Sequence, residues 1–456
     1  MIVLFMIFIM GTSSAQQNWQ QVSAGGEFSI ALRDDNTLWS WGANLNGQLG
    51  DGTLVASDEP LKVGEDNDWK TVTAGGFHTL AIKNDGTLWA WGVNSSGQLG
   101  IGNLIEQHSP VQVGTNTDWW KIEASEGHNL ALKQDSTLWG FGFNGVGQLG
   151  NGTMTDVISP IQIGTDKWIK IATGGRHSLG IKADSTLWSW GLNGNGQLGN
   201  NTTIDQTIPI QVGTDTDWRS VHAGFQHSLA IKSDSTLWSW GFNGNGQLGI
   251  GSTLDQWIPT QIGLENDWKR VSAGSSFCFS INNNGFLFAW GYNGQGQMGT
   301  GSTTQQNSPV LVSTEEWKAV AGADGIFDGS SILGLHTLGI RATIENVICA
   351  SGANYTGQLG DGSIVSQVSV FTCYNPTIGV NESVNSNVKL YPNPTNGMVY
   401  WEGPKPEQID VYTMTGQLVR TVYQSSILDL SALPKGIYSI HITTENDLYV
   451  EKLVKD

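Results

Sequence analysis

One phrase of twelve residues recurs along this chain, and its spacing is the strongest constraint on the fold. The phrase reads WSWGFNGNGQLG at 238–249, WSWGLNGNGQLG at 188–199 and WSWGANLNGQLG at 39–50, and four looser copies bring the total to seven. The final glycines of the copies are Gly50, Gly100, Gly150, Gly199, Gly249, Gly299 and Gly360. A fixed period of about fifty residues is the signature of a repeat architecture.

Each repeat predicts four short strands. In the copy at 69–113, alternating apolar and polar residues favour strands at 69–73, 78–83, 87–91 and 110–113. Asp85-Gly86 favours a hairpin turn because this pair tolerates positive φ angles. Pro110 is expected to begin the fourth strand, where no ladder donor is needed. Seven such units are typical of a β-propeller.

The repeat also resembles a known family. Its consensus, W-x-x-V-x-A-G-x-x-H-x-L-A-(I/L)-K-x-D-x-T-L-W-x-W-G-x-N-x-x-G-Q-L-G, covers residues 19–373 and is similar to the repeat of the regulator of chromosome condensation family. The resemblance implies an all-β, seven-bladed propeller over residues 16–375. We expect 370–373 to pair in the first blade, beside Trp19, Phe28 and Trp39, so that no sheet edge stays open.

Charge and the N-terminus restrict where the protein works. The net charge is −18 and the isoelectric point about 4.7, so the chain repels phosphate backbones and nucleic-acid binding is not expected. Residues 1–15 carry an apolar run followed by Ser13 and Ala15, which predicts a secretory signal peptide. The run is too short to span a bilayer, and no other stretch predicts a transmembrane segment.

The tail has a different composition. Residues 376–388 indicate a polar linker, and about seven alternating runs at 389–456 predict a small Ig-like β-sandwich. The motifs LYPNPTNG, IDVYTMTGQLV, LDLSALPKGIYSIHI and EKLVKD resemble the type A C-terminal sorting domain of type IX secretion substrates. The resemblance implies the type IX machinery as a partner, and a product that is released or attached to the outer cell surface. The sorting-signal candidates are Pro392, Asn393, Pro394, Gly397, Gly416, Gly436 and Lys452.

Three cysteines, Cys278, Cys349 and Cys373, fit no metal motif. Cys349 and Cys373 are able to form a disulfide in an oxidising compartment. The favoured interpretation is nevertheless that all three are small buried residues, because free cysteine is commonly buried.

The histidines and aspartates are interpreted as structural. His78, His128, His177, His227 and His336 occupy equivalent positions, and Phe28 and Phe277 replace them in two units. We expect each ring to pack, with its N–H bonded to a neighbouring backbone carbonyl. The aspartates before the first tryptophan of each unit lack the loop glycine and final glutamate of calcium sites, and are expected to lie in loops. They are Asp66, Asp68, Asp118, Asp215, Asp217 and Asp267.

No motif predicts catalysis or a cofactor. Nucleophile elbow, Walker loop and dinucleotide fingerprint are all missing from the sequence. Asp-Ser-Thr triplets beginning at Asp135, Asp184 and Asp234 fit hairpin turns, with sugar attachment as the alternative. We therefore predict no catalytic, cofactor-binding or metal-binding residues.

The largest departure from the repeat is the segment GADGIFDGSSILG at 322–334, which carries Ile326, Phe327, Ile332 and Leu333. Exposed apolar residues there favour a partner contact, and a loop without function is the alternative. The predicted function is non-catalytic binding of an unidentified protein or glycan outside the cell. A polysaccharide-degrading enzyme is the second hypothesis, and nucleotide exchange is not expected of an exported chain.

Overall fold

The computed structural model describes residues 18–323, 326–327, 332–342, 346–374, 389–391, 395–402, 405–413, 418–423, 427–443 and 448–455. These residues form strands and turns without a helix, so none of their segments is a membrane-spanning helix. Two compact units are present, Met1–Pro376 and Thr377–Asp456. The predicted signal peptide and linker lie outside the described residues.

The first compact unit is built from seven consecutive four-stranded repeats, which we number one to seven. The first strands are Trp19–Ala24, Trp69–Ala74, Trp119–Ala124, Val157–Thr173, Trp218–Ala223, Trp268–Ala273 and Trp317–Gly322. The second strands are Phe28–Arg33, His78–Lys83, His128–Lys133, His177–Lys182, His227–Lys232, Phe277–Asn282 and His336–Arg341.

The other two strands complete each repeat. The third strands are Leu38–Gly42, Leu88–Gly92, Thr137–Gly142, Leu187–Gly191, Leu237–Gly241, Leu287–Gly291 and Val347–Ala353. The fourth strands are Ser57–Lys62, Gln107–Gln112, Val157–Thr173, Gln206–Gln211, Gln256–Gln261, Gln306–Ser313 and Gln367–Tyr374. All pairings are antiparallel and follow chain order.

One strand belongs to two repeats. Val157–Thr173 is both the fourth strand of repeat three and the first strand of repeat four, which joins these repeats into one seven-stranded sheet. Trp168 follows Gly164 by four residues, whereas Trp119 follows Gly114 by five. The connection from Ser313 to Trp317 is equally short, and there the two strands remain separate.

The position of Pro110 in its strand differs from the prediction. The fourth strand of repeat two begins at Gln107, so Pro110 is its fourth residue rather than its first. This strand pairs on one side only, with Leu88–Gly92. Proline is tolerated inside an edge strand because the missing N–H can face solvent.

The predicted closure by strand exchange is also wrong. Residues 370–373 belong to Gln367–Tyr374, which pairs with Val347–Ala353 of its own repeat. The first repeat is instead completed by its own fourth strand, Ser57–Lys62. The seventh fourth strand follows its copy of the phrase at the same offset as the others, so the same local pairing forms in every repeat.

The hydrophobic core lies between successive repeats. Trp69 and Val72 of repeat two pack against Phe28, Ile30 and Leu32 of repeat one. The same contact links the last repeat to the first, since another cluster combines Trp19 and Trp41 with Leu338, Ile340 and Ile348. The repeats therefore bury their faces on one another, as repeat units that lack an individual core do.

The Asp-Ser-Thr triplets form hairpin turns. Ser136, Ser185 and Ser235 have φ angles of 67°, 63° and 67°. In each turn the aspartate Oδ1 accepts hydrogen bonds from the amide and hydroxyl of the threonine, as Asp135 does from Thr137 at 3.0 and 2.7 Å. The local bonds account for the turn, which is an Asx-type turn.

The structure contains a disulfide between Cys349 and Cys373, on neighbouring strands of repeat seven. The favoured interpretation of these two cysteines as free buried residues was therefore wrong. Cys278 is free and buried, as expected.

The second compact unit has two antiparallel sheets. The three-stranded sheet contains Lys389–Tyr391, Met398–Glu402 and Ile427–Asp429. The four-stranded sheet contains Gln408–Thr413, Leu418–Tyr423, Gly436–Thr443 and Leu448–Lys455. Both sheets contribute to one core, where Val399 and Leu428 of the first meet Ile409, Val411 and Ile440 of the second.

Candidate functional site

The repeated histidines are linkers between repeats. Each ring is buried, and its Nε2 bonds a side chain in the next repeat rather than the backbone carbonyl that we predicted. The pairs are His78–Asn129 (2.7 Å), His128–Ser178 (2.9 Å), His177–Ser228 (2.9 Å), His227–Cys278 (3.0 Å) and His336–Ser29 (3.0 Å). Burial lowers the pKa of His177 and His227 to about 3, so the rings are neutral.

The side chain that bonds each histidine also donates a hydrogen bond to the glutamine carbonyl of the recurring phrase. The Ser178 hydroxyl donates to the carbonyl of Gln148 at 2.8 Å, and therefore accepts from His128 Nε2. The second tryptophan of the phrase uses the same kind of acceptor, since Trp240 Nε1 donates to the Gln197 carbonyl at 2.9 Å. The glutamine carbonyl of one repeat thus binds two side chains of the next.

The contact between repeats seven and one follows the same scheme. Ser29 Oγ and Trp41 Nε1 of the first repeat both donate to the Gln358 carbonyl of the seventh, at 2.7 and 2.9 Å. His336 Nε2 completes the set with its bond to Ser29. The last repeat therefore contacts the first through the same set of bonds that repeat four makes with repeat five.

Glycine in the phrase is required by this contact. Gly249 has a φ of 70°, and a Cβ there would lie 2.7 Å from Nε1 of Trp290 in the next repeat. The φ angle favours glycine and the close approach excludes a side chain. The phrase is therefore a packing element.

A second recurring arrangement explains the aspartates. Lys83 Nζ lies 4.8 and 4.7 Å from the ring centroids of Trp69 and Trp89, and binds Asp66 and Asp68 at 2.8 and 3.1 Å. Repeat five repeats this clamp with Lys232, Asp215 and Asp217, while Lys133 binds Asp118 and Asn282 donates to Asp267. Five of the six predicted loop aspartates are thus partners of a cation that the sequence reasoning missed, and the sixth, Asp267, accepts from the neutral Asn282. A lysine or arginine ending six of the seven second strands was the available signal.

The lysine clamp predicts a loss of stability at alkaline pH. Burial alone would lower the pKa of Lys83, but hydrogen bonds to Asp66 and Asp68 outweigh it and raise the pKa above 10.5. A raised lysine pKa means that the clamp stabilises the fold below the unfolded-state pKa and stops doing so as pH rises through the folded-state pKa.

We therefore expect Lys83→Gln to cost about 2 kcal/mol of unfolding free energy at pH 8, from charged hydrogen bonds and cation–π contact. Urea unfolding at several pH values should show the gap between variant and wild type closing above the folded-state pKa. Lys70→Gln, at an exposed neighbouring position, is the control and should cost little. If the difference in unfolding free energy between Lys83→Gln and wild type stayed the same at high pH, the ionic origin of the effect would be contradicted.

The first strands of all seven repeats surround one cavity of about 120 Å³. Its polar lining includes Ser23, Thr73, Glu123, His222 and Ser272, each the fifth residue of its strand. One cavity therefore touches every repeat.

One end of the repeat region, which we call the loop end, carries the predicted insertion. Phe28 pairs with Gly42, so the turn between first and second strands and the loop after the phrase leave from the same end. The insertion occupies that turn in repeat seven, where Ile326–Phe327 pairs with Ile332–Leu333 in a short hairpin. The side chains of these four residues lie outside the described part of the structure.

Exposed aliphatic residues also recur at the loop end. They stand four or five residues after the last glycine of the phrase in every repeat but the sixth, and 46–72% of each side chain is exposed. These residues are Leu54, Val55, Leu104, Ile105, Met154, Ile204, Leu254, Ile364 and Val365.

A groove of about 380 Å³ lies between repeats three and four, lined by Trp168, Trp188, Asp166, Gln162 and Asn151 among others. This volume is within the range of small-molecule sites. Lys182 Nζ lies 3.3 Å from the centroid of the half-buried Trp188 ring, closer than in the other clamps.

The sorting-signal candidates are only partly described. Gly436 begins the strand Gly436–Thr443, and Lys452 pairs with Ser439 in the last strand. Gly397 packs closely on Ser431, which a Cβ would approach to 2.5 Å. Pro392, Asn393, Pro394 and Gly416 lie outside the described residues. The structure adds Lys455, which is buried and donates to the Leu433 carbonyl at 2.6 Å.

Comparison with known families gives two matches. The RCC1-like domain matches residues 9–327, and the secretion system C-terminal sorting domain matches residues 389–456. A curated relative, the mitochondrial RCC1 domain-containing protein RUG3 of Arabidopsis thaliana, is 48% identical over 42 residues. That match covers 9% of either chain, so the chain spans about a tenth of this relative.

Solved structures resemble the repeat region. Human WBSCR16 aligns with a TM-score of 0.62 and 25% identity, over 68% of this chain and 85% of that one. Yeast RCC1 (Prp20), solved bound to Kap60, aligns with a TM-score of 0.65 and 18% identity, over 82% and 86% of the two chains. The second likeness shows the fold alone.

Proposed function

The chain belongs to the RCC1-like domain family and ends in a secretion system sorting domain, and on that basis we propose that it is an exported, non-catalytic binding protein. The sorting domain directs the protein to the cell surface or the extracellular space through the type IX machinery. The proposed partner is a protein that binds at the loop end. The observation that carries this proposal is the recurring exposed aliphatic surface there.

We propose that the seven repeats are blades of a closed propeller. Support comes from the contact of repeat seven with repeat one, which uses the same histidine, serine and glutamine scheme as the contacts between successive repeats. The cavity bordered by all seven first strands supports the same arrangement. The proposed domains are a signal peptide at 1–15, the propeller at 16–375, a linker at 376–388 and the sorting domain at 389–456.

For the tail we propose an Ig-like β-sandwich, which its two sheets and common core support. Pro392, Asn393, Pro394, Gly397, Gly416, Gly436 and Lys452 are proposed as the sorting signal. Gly397 and Gly436 flank strands of this fold, which is consistent with recognition of the folded tail.

The non-catalytic role is supported by how the recurring polar residues are used. The histidines bond the next repeat, and aspartates such as Asp66 and Asp215 bind lysines of the second strands. Residues engaged in packing at every repeat are poor candidates for one active site. The structurally similar protein Prp20p from Saccharomyces cerevisiae binds Gsp1p and histones. At 18% identity, and for an exported chain, we propose neither here.

The insertion is the proposed specific contact within the loop end. His336 follows Trp317 by nineteen residues, whereas His78 follows Trp69 by nine, so ten residues are additional. The insertion leaves the usual hydrogen bond between the first and second strands in place. Ala323 N donates to the His336 carbonyl, as Gly75 N donates to the His78 carbonyl in repeat two. The proposed contact residues are Ile326, Phe327, Ile332 and Leu333.

Deleting residues 324–333 is expected to abolish partner capture without unfolding the protein. The deletion leaves Ala323-Gly334-Leu335-His336, which matches the length of Gly75-Gly76-Phe77-His78 in repeat two. Affinity capture from cell-surface extracts should show at least about a tenfold loss, as expected when a central contact is removed. Circular dichroism should show an unchanged strand spectrum.

Two further variants locate the surface. Leu54→Ser at the loop end should weaken capture, whereas Leu264→Ser should not, because this 94% exposed residue precedes a first strand at the opposite end. Equal capture by the deletion variant and the full chain would refute the insertion as the contact. Glycan binding that survives the deletion but is lost in Trp188→Ala would assign binding to the groove between repeats three and four. Release of reducing ends from a polysaccharide would favour the enzyme hypothesis.

A further inference from the structure

Cations gather on one face of the first strands. Counted from the tryptophan of each first strand, which in repeat four is Trp168, the third residues are Gln21, Thr71, Lys121, Lys170, Ser220, Arg270 and Ala319. Third and fifth residues of a strand lie on the same face, and the fifth residues line the central cavity. Three basic side chains, from repeats three, four and six, therefore lie on the cavity-facing side of these strands, next to the residues that line the cavity. Lys121 is half-buried, and Lys170 and Arg270 are exposed.

These charges are not required for packing. In repeat one, the neutral Gln21 occupies the same position and bonds the Val72 backbone through both of its amide atoms, at 2.7 and 3.3 Å. Lys121 makes a weaker contact of the same kind, since its Nζ lies 3.5 Å from the Ile171 carbonyl oxygen in the next first strand. A neutral side chain thus suffices to connect neighbouring first strands, and a basic residue adds charge to the cavity.

The charges are also incompletely balanced. Lys121 binds Glu123 at 3.3 Å. Among the described residues, neither Lys170 nor Arg270 has a carboxylate within salt-bridge distance. Three cations therefore share one carboxylate, in a chain whose net charge is −18.

Mutual repulsion contributes to lowered pKa values in this group. Partial burial, followed by the charge of Lys121, lowers the pKa of Lys170. Burial inside the cavity and the charges of Lys121, Lys170 and Arg270 lower the pKa of His222 to about 3. Each of these groups would be stabilised by a negative charge placed among them.

We propose that the cavity binds a small tetrahedral oxyanion of the phosphate or sulfate class, between Lys121, Lys170, Arg270 and His222. The cavity volume of about 120 Å³ corresponds to about four water molecules, which suits an anion of five heavy atoms. Arg270 supplies a bidentate donor, and the two lysines supply point charges. The neutral His222 ring supplies one N–H.

The charge of the whole protein disfavours polyanions at this site. The cations lie among the inner strands, whereas the protein as a whole carries a strong negative charge that repels polymers such as nucleic acids. The ligand is therefore a free small anion rather than part of a polyanion. The loop-end partner surface is separate, because the third residues lie toward the opposite end of the first strands.

The test is calorimetric titration of the full chain with sodium phosphate and sodium sulfate at low ionic strength, with sodium chloride at matched ionic strength as reference. We expect one anion per chain. Lys170→Gln and Arg270→Gln should each weaken binding by about tenfold, since each removes a charged contact. Lys269→Gln, at the neighbouring exposed position, should stay within about twofold of wild type.

A third variant should act in the opposite direction. Glu123→Gln removes the only carboxylate of the group and frees Lys121, so it should tighten binding several-fold. Melting curves of all variants check that the fold is retained, and Arg270→Gln remains informative if Lys170→Gln fails to fold. Absence of binding at millimolar anion, equal loss in Lys269→Gln, or acetate binding as tightly as phosphate would overturn the proposal.

Discussion

Replacing Trp41 by alanine is expected to lower the unfolding free energy of the repeat region by about 3–5 kcal/mol, the usual cost of truncating a buried tryptophan. Trp41 is fully buried between the first and last repeats, with its ring 6.5 Å from that of Trp19. Its Nε1 donates to the Gln358 carbonyl, so the substitution also leaves a buried acceptor with one donor fewer.

The location of Trp41 makes this experiment a test of ring closure. Trp240 occupies the equivalent place between repeats four and five, is equally buried and donates to the Gln197 carbonyl at the same 2.9 Å. If repeats seven and one pack as the other repeats do, urea unfolding should give similar losses for Trp41→Ala and Trp240→Ala.

Trp39→Ala is the control for the first repeat. Trp39 lies two residues earlier in the same strand and is only half-buried. The Cζ atom of Arg33 lies 4.4 Å from the centroid of its ring. Truncating Trp39 should lower the unfolding free energy clearly less than truncating Trp41, because the half-buried Trp39 ring leaves a smaller cavity. Equal losses for Trp39→Ala and Trp41→Ala, both below that for Trp240→Ala, would mean that the first and last repeats do not form the contact in solution.

The repeat period made most of the architecture predictable. Strand positions such as His78–Lys83 followed from alternation and from turn residues, which are local properties of the sequence. Seven copies of the same pattern turned a weak local signal into a strong one. The strands and the family matches confirm the all-β fold, the RCC1-like repeat and the sorting domain.

Contacts between repeats were harder to predict. The serine that accepts from His128 is Ser178, fifty residues away, and no local pattern indicates which repeat supplies it. A signal did exist, because the residue after each histidine or its phenylalanine replacement is small or polar in all seven repeats: Ser29, Thr79, Asn129, Ser178, Ser228, Cys278 and Thr337. A polar residue on an otherwise apolar, buried strand requires a hydrogen-bond partner.

Strand exchange at closure was predicted wrongly for a related reason. An unpaired sheet edge is a liability, and pairing 370–373 with the first repeat would have removed one. That argument concerns the whole assembly, whereas the loop of six residues between Gly360 and Gln367 decides the pairing locally. It returns the chain to the strand it has just left, as the equivalent loops do in the other repeats.

The cysteines were misjudged because redox state depends on the compartment. Cys349 and Cys373 are 24 residues apart, a spacing that fits both a disulfide and two buried thiols. The sorting domain at 389–456 places the protein outside the cell, where disulfides form and persist. Combining the tail with the cysteines, rather than treating each by itself, would have favoured the disulfide.

Reduction of this disulfide is expected to lower the unfolding free energy of the repeat region by about 3 kcal/mol, from the chain entropy that a loop of this length restores to the unfolded state. The bond joins Val347–Ala353 to the edge strand Gln367–Tyr374 in repeat seven, which packs against repeat one. Urea unfolding with and without a reductant measures the effect on an otherwise identical chain.

Cys278→Ser provides the matched control. Cys278 accepts from His227 and donates to the Gln247 carbonyl, and serine performs both tasks at the equivalent positions Ser178 and Ser228. We therefore expect this variant to be nearly as stable as wild type and to keep the full response to reductant. Thiol titration of the unfolded protein without reductant should find one free thiol in wild type and none in the variant. Three free thiols, or an unfolding midpoint that reductant leaves unchanged, would show that the exported protein does not use the bond.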